Sequence, residues 1–190
     1  MEIAYKMFNS DLTCTMGRGT FRYEPQKWYE EDEANVRANG FHVCKNPLDC
    51  LNYYHDFEHA QCWLCVIDGD IDEAGDDTAL SVQKIYLARR LALPDFVAEA
   101  CAYIIQHPYQ PYNGNVTAGP AETNVNHFAI SVGPDARARG ELGDVLGILQ
   151  TYEGRRPIKE ATCFVIDGKQ YKPGVWYGAD EQEVPDDQKA

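Results

Sequence analysis

A glycine, a short strand and a proline-led helix follow in immediate succession between Asn39 and Tyr54, in the order Asn-Gly-Phe-His-Val-Cys-Lys-Asn-Pro-Leu-Asp-Cys-Leu-Asn-Tyr-Tyr. Gly40 reads as a turn that starts a short strand, Phe41 to Cys44. Asn46 is a favoured N-cap, Pro47 suits the first helical position, and Asp49 puts a carboxylate in the first turn, where the helix dipole favours it. A segment punctuated this tightly has few alternatives to strand, turn and helix. It also concentrates His42, Cys44, Cys50, Tyr53 and Tyr54, so the firmest structural expectation coincides with the leading place for chemistry.

At 190 residues and 21.4 kDa the chain can bury one substantial core or two small ones. Its 17 Lys and Arg against 30 Asp and Glu give a formal charge of -13, which repels a phosphate backbone and argues against general nucleic-acid binding. The acidity reads as solubility, with nucleic-acid mimicry or attraction to a basic partner as alternatives. The opening MEIAYKMFNSD has neither a basic segment nor an apolar run, so no signal peptide is expected. No window approaches the roughly 20 apolar residues that span a bilayer, so no membrane partner is expected and a cytoplasmic location is. Seven cysteines, an odd number at irregular spacing, read as free thiols.

Alternating apolar positions predict a strand over residues 2–8, and Phe21, Tyr23 and Trp28 mark an aromatic strand region over 20–29, interrupted at Pro25. Residues 59–67 read as a strand closed by a turn at Asp68-Gly69, and 83–91 as a further strand. Leu93-Pro94-Asp95 starts a helix over 94–106 with Phe96, Val97, Ala100, Cys101 and Ile104 on one face. Prolines and glycines over 107–126 predict a linker or long loop. Beyond it, Gly133, Gly140 and Gly143 among Ala129, Ala136 and Ala138 suit the close stacking of short strands in one coil of a β-solenoid. Residues 161–177 read as a hairpin joined at Asp167-Gly168, and the string Val-Ile-Asp-Gly at 66–69 and 165–168 as shared turn chemistry. The expected fold is α+β: a mixed sheet with short helices over 1–106, the linker 107–126, a small mostly β unit over 127–178, and a flexible acidic tail over 179–190.

Cys62-Trp-Leu-Cys65 has redox-motif spacing but lies inside a strand, where residues three apart face opposite ways, so two core cysteines are the better reading. Cys14, His42, Cys44 and Cys50, with His55 or His59, carry zinc's donor types, although the paired knuckles that define a zinc module are absent. His42 and Cys44 share a face of an extended segment, as an imidazole-activated thiol or as a core histidine beside a buried cysteine. Tyr53 and Tyr54 are packing aromatics or a stacking platform for a flat ligand, and His55 and His59 a solvated pair.

Taken together, AYKMFNSDLTC at 4–14, the Tyr23 to Tyr29 segment, GFHVCKNPLDCLNYY at 40–54 and KIYLARRLALPDF at 84–96 resemble an uncharacterised family found in bacteriophage and bacterial genomes. Residues 129–149 and 166–177 resemble the end segment of its members, while the small-residue repeats that often precede it are missing. The resemblance implies a phage accessory protein in the host cytoplasm. Such a protein would bind and inhibit or sequester a host protein, for instance of a defence system, or a nucleotide-like signal; a structural role of phage origin is a further alternative. A looser similarity, to the ADP-ribosyltransferase fold, implies Tyr5 or Lys6 clamping NAD, Tyr53 or Tyr54 stacking on nicotinamide, and Glu99 or Glu122 holding the ribose hydroxyl. The candidate catalytic residues are then His42, Tyr54 and Glu99, and the candidate ligand-binding residues Tyr5, Lys6, His42, Tyr53 and Tyr54. No resident cofactor is expected, NAD and zinc being the alternatives carried.

Overall fold

A computed structural model describes residues 1–14, 19–36, 38–57, 59–73, 75, 77–153 and 157–186, which form two compact units, Met1–Ala92 and Leu93–Ala190. The fold is mixed α+β, with short helices, several sheets and a mostly β second unit.

The first unit contains β1 (Glu2–Asn9), β2 (Thr13–Cys14), β3 (Phe21–Arg22), β4 (Trp28–Glu30), β5 (Phe41–Cys44), a 3-10 helix (Pro47–Asn52), β6 (Ala60–Glu73) and β7 (Ala79–Leu91). β1 runs antiparallel to β6 along its whole length, Glu2 opposite Ile67 and Asn9 opposite Ala60. β6 and β7 form a long hairpin, and the far edge of β7 takes β5 and then β4. Tyr5 of β1 meets Cys44 of β5, so the pairings β1–β6–β7–β5–β1 close on themselves. The side chains turned inward form an apolar cluster that includes Ala4, Phe8, Val43, Cys65, Ile67, Val82 and Leu87.

The turn expected at Asp68-Gly69 is instead a bulge: β6 continues to Glu73, and its register against β7 shifts between Asp68 and Ile71. A glycine suits either event, since both need a residue outside ordinary strand geometry. A second shift between Leu64 and Cys65 adds to the bending, as expected for a strand that must follow a nearly closed surface. The helix starts where Asn46 and Pro47 predict, with Asn46 Oδ1 accepting from Leu48 N at 3.1 Å, but it is a 3-10 turn rather than an α-helix. Asp49 sets its seat. This buried carboxylate accepts from Thr78 N at 3.1 Å and Thr78 Oγ1 at 2.7 Å, while Asn46 N donates to Thr78 Oγ1 at 2.8 Å.

The second unit opens with α1 (Leu93–Gln106), whose buried residues are Phe96, Val97, Ala100, Cys101 and Ile104, the face its spacing predicts. The helix expected to complete the first unit thus belongs to the second. It is followed by β8 (Val116–Ala118), β9 (Ala121–Glu122), β10 (Phe128–Gly133), β11 (Arg137–Arg139), β12 (Val145–Thr151), β13 (Ile158–Val165), β14 (Trp176–Gly178) and β15 (Glu183–Val184). β8, β10 and β12 pair in parallel in one sheet, and β9 and β11 in parallel in the other. The chain therefore winds back and forth between two sheets as stacked coils, with Ile130 beside Val116 on one side and Gly147 on the other.

The small residues read from the sequence, Ala129, Ala136 and Ala138, pack in one buried cluster with Ala121, Leu146, Ile148 and Tyr177. Gly147 makes room for α1, because a Cβ there would lie 2.6 Å from Cys101 Sγ. Three expectations change in this unit. Residues 107–126 are not only a connection, since β8 and β9 lie within them. Asp167-Gly168 does not join a hairpin, because β13 pairs with β12 and β14 with β11 and β15, in different sheets. Of the expected tail, residues 179–186 include β15, and Asp186 accepts from Trp176 Nε1 at 2.8 Å; residues 187–190 lie outside the described residues. Among the described residues no helix is long and apolar enough to cross a membrane.

Candidate functional site

A cleft of about 580 Å³ opens in the first unit, and its lining residues all fall between Tyr5 and Leu80. β1 contributes Tyr5 and Lys6, β5 contributes His42 and Cys44, the 3-10 helix contributes Cys50, and the chain leaving that helix contributes Tyr53 and Tyr54. The local order of the Gly40 to Tyr54 segment explains this. The capped helix turns the chain back beside β5, and the Asp49–Thr78 bonds hold it against the start of β7. All five residues singled out for ligand binding, Tyr5, Lys6, His42, Tyr53 and Tyr54, line this one cleft.

Lys6 is the unusual member. It is 6% exposed, yet the interactions of its ammonium among the described residues are a hydrogen bond to the His42 carbonyl oxygen at 2.6 Å and ring faces, Phe8 at 5.4 Å and Tyr23 at 5.9 Å from Nζ. Removing an ammonium from water costs several kcal/mol even after relaxation. A charge-assisted hydrogen bond returns about 1.5–3 kcal/mol and each cation–π contact about 0.5–2 kcal/mol, so these partners offset much of the cost without neutralising the charge. His42 lies at the exposed edge of the lining; partial burial, and then the Lys6 charge, hold its imidazole below the ordinary histidine range.

Aromatic rings surround this charge. Tyr23 stands edge-on to Phe8, Phe21 and Tyr29 at centroid distances of 4.9, 4.7 and 5.1 Å. It is 6% exposed and lines the cleft, and its hydroxyl has no hydrogen-bond partner among the described residues. Burial, and then the neighbouring Cys14, raise that hydroxyl far above the ordinary tyrosine range. Tyr54 donates to Cys14 Sγ at 3.5 Å and is raised by burial first and then by that bond, while Tyr53 donates to Asp77 Oδ2 at 3.0 Å. Phe21 and Tyr23 were legible as an aromatic strand segment, but nothing in their spacing tied them to the Gly40–Tyr54 region.

Two thiols of the lining, Cys44 and Cys50, are held protonated. Cys44 lies well above the ordinary thiol range because of its hydrogen bond with Cys50 and its burial. In Cys50 the bond from Cys44 acts downward, but the bond with Cys62 and burial outweigh it. Cys65, on the opposite face of β6, is pushed up to about 12 by burial. A thiol in that state is neither an activated nucleophile nor a ready metal ligand, so Cys44 is not primed by its strand neighbour His42. Among the described residues no group of three or more His, Cys, Asp or Glu side chains is placed to hold a metal ion, so Cys14, His42, Cys44 and Cys50 do not assemble into the zinc set their types suggested. His55 and His59 are both exposed and neither lines the cleft; His59 Nδ1 lies 3.1 Å from Asp56.

The carboxylates considered for ribose recognition belong to the second unit. Glu99 is on α1, and Glu122 on β9 accepts from Arg139 Nε at 3.2 Å and Nη2 at 2.6 Å. The carboxylate within the cleft lining is Glu31, which is exposed.

Residues 2–99 match the family described as Domain of unknown function (DUF7666). The chain belongs to this family. The matched span takes in the first unit from Glu2 onward, and with it every residue lining the cleft, and ends within α1. No curated protein and no solved structure matches the chain.

Proposed function

We propose that the DUF7666 unit captures a small flat ligand of the nucleotide class in the Lys6–Tyr54 cleft, and that it acts by holding this ligand rather than converting it. The observation that carries the reading is the convergence of Tyr5, Lys6, His42, Tyr53 and Tyr54 from separate elements on one aromatic-walled space. A cleft of about 580 Å³ falls within the size range of small-molecule sites, which combine apolar walls with a few polar groups. Capture is favoured over turnover because Cys44 and Cys50, two thiols of the lining, are held protonated. In the setting implied by the phage-like resemblance, the protein would work in an infected host's cytoplasm, where withdrawing a nucleotide-like signal blunts a defence response.

Native mass spectrometry of protein recovered gently from a bacterial host tests this. The expected result is a small adduct of nucleotide mass on the wild-type chain. Tyr53→Ala is expected to weaken binding of the identified adduct about tenfold, since an aromatic platform contributes roughly 1–3 kcal/mol per stacked base. A stoichiometric bound protein without any small adduct would instead support a basic protein partner drawn by the net charge of -13.

A further inference from the structure

Resting on the reading of the cleft as a small-molecule site, we propose that its ligand is an anion whose phosphate-like group sits on the Lys6 ammonium and the Tyr23 hydroxyl. Two independent features point there. Lys6 is a cation, 6% exposed, with one hydrogen bond to a backbone carbonyl and no carboxylate partner among the described residues, so donor capacity on its ammonium is left over. Tyr23 is equally buried, and its hydroxyl is a second donor without a partner among the described residues. Both residues line the cleft, and the ammonium stands 5.9 Å from the Tyr23 ring centroid. Both groups keep donor capacity on residues that line one space, and a group offering several acceptor oxygens and negative charge would use it.

The other charged and titratable groups of the lining are consistent with that occupant. Glu31 is exposed, so water screens it, and the His42 carbonyl oxygen fixes Lys6 without cancelling its charge. The overall charge of -13 slows the approach of a free anion but acts over distances that physiological salt screens. Tyr53 and Tyr54 line the same cleft and on this proposal take the base, so the ligand class is a nucleotide and not a nucleoside.

The test uses the full chain and three probes at physiological ionic strength: inorganic phosphate, adenosine and adenosine 5′-monophosphate, each titrated by calorimetry and by thermal shift. The expected result is that the nucleotide binds at least about thirtyfold more tightly than adenosine, in line with the loss expected when one partner of a buried charge pair is removed. Lys6→Met is expected to abolish that preference while melting at the same or a higher temperature without ligand, because a side chain of similar length then replaces a buried charge that its hydrogen bond and ring contacts do not neutralise. Lys6→Arg should keep part of the preference, and Tyr23→Phe should reduce it.

Equal binding of adenosine and the nucleotide, or a preference that survives Lys6→Met, overturns the anion site and leaves the small-molecule reading in place. Phosphate binding without adenosine binding supports the anion site and removes the base platform. Failure of all three probes to bind at millimolar concentration overturns both.

Discussion

Gly40→Ala is expected to lower the unfolding free energy by about 3 kcal/mol and to remove ligand binding with it. Gly40 has φ +83°, and a Cβ there would stand 2.4 Å from Ser81 Oγ and 3.0 Å from the Val82 carbonyl oxygen. Ser81 is fully buried and donates its hydroxyl to the Asn39 carbonyl oxygen, so it cannot turn aside without losing that bond. The left-handed backbone costs a side chain about 1–2 kcal/mol. Forcing β5 away from β7 adds an overpacking cost of about 1–3 kcal/mol. Because Gly40 starts the strand that brings His42 and Cys44 to the cleft, the damage falls where the ligand sits. Urea denaturation checks it, with Gly114→Ala as the control: nothing lies within 4 Å of a Cβ at that position, and a change within about 1 kcal/mol is expected. A Gly40→Ala loss below about 0.5 kcal/mol, within the ordinary range for surface changes, would mean that the Gly40 turn does not constrain the fold as described.

Asp49→Ala has the second largest expected effect. It leaves the Thr78 amide and hydroxyl without their acceptor and frees the 3-10 helix from the start of β7. An unsatisfied buried polar group costs about 1–3 kcal/mol, and because Thr78 is half-buried and partly regains water, a total loss of about 2 kcal/mol is expected. Asp49→Asn should cost less, because one oxygen remains to accept from Thr78. The helix carries Cys50, and the chain leaving it carries Tyr53 and Tyr54, so affinity for the cleft's ligand should fall together with stability. If Asp49→Ala loses stability but keeps full affinity, the helix does not position the tyrosines.

Much of the cleft was legible because its residues are close in sequence and local rules place them. An N-cap asparagine, a proline at the first helical position and a glycine before a strand act over a few residues, and the structure follows them at Asn46, Pro47 and Gly40. The helical face of α1 was legible for the same reason. What the sequence did not disclose depends on long-range pairing. Asp68-Gly69 has the chemistry of a turn and occupies a bulge, because only the register against β7 distinguishes the two. β8 and β9 are three and two residues long, too short for any period to appear, and they exist because β10 and β11 lie alongside them. Lys6 sits in an alternating strand where a lysine ordinarily marks a solvent face. Its burial follows from the closed circuit of β1, β6, β7 and β5, in which Lys6 faces Trp63 across the ladder. That Lys6 has no carboxylate partner among the described residues is thus invisible in the sequence, although Lys6 itself was a candidate.

The most direct test of the central claim is to fill the cleft and observe which backbone groups respond. Amide spectra of isotopically labelled full-length protein, recorded while adenosine 5′-monophosphate is added, are predicted to shift at Lys6, Gly40, His42 and Tyr54, with the amides of β10 and β12 unchanged. Shifts confined to the second unit, or none at millimolar nucleotide, would contradict the assignment of this cleft as the ligand site.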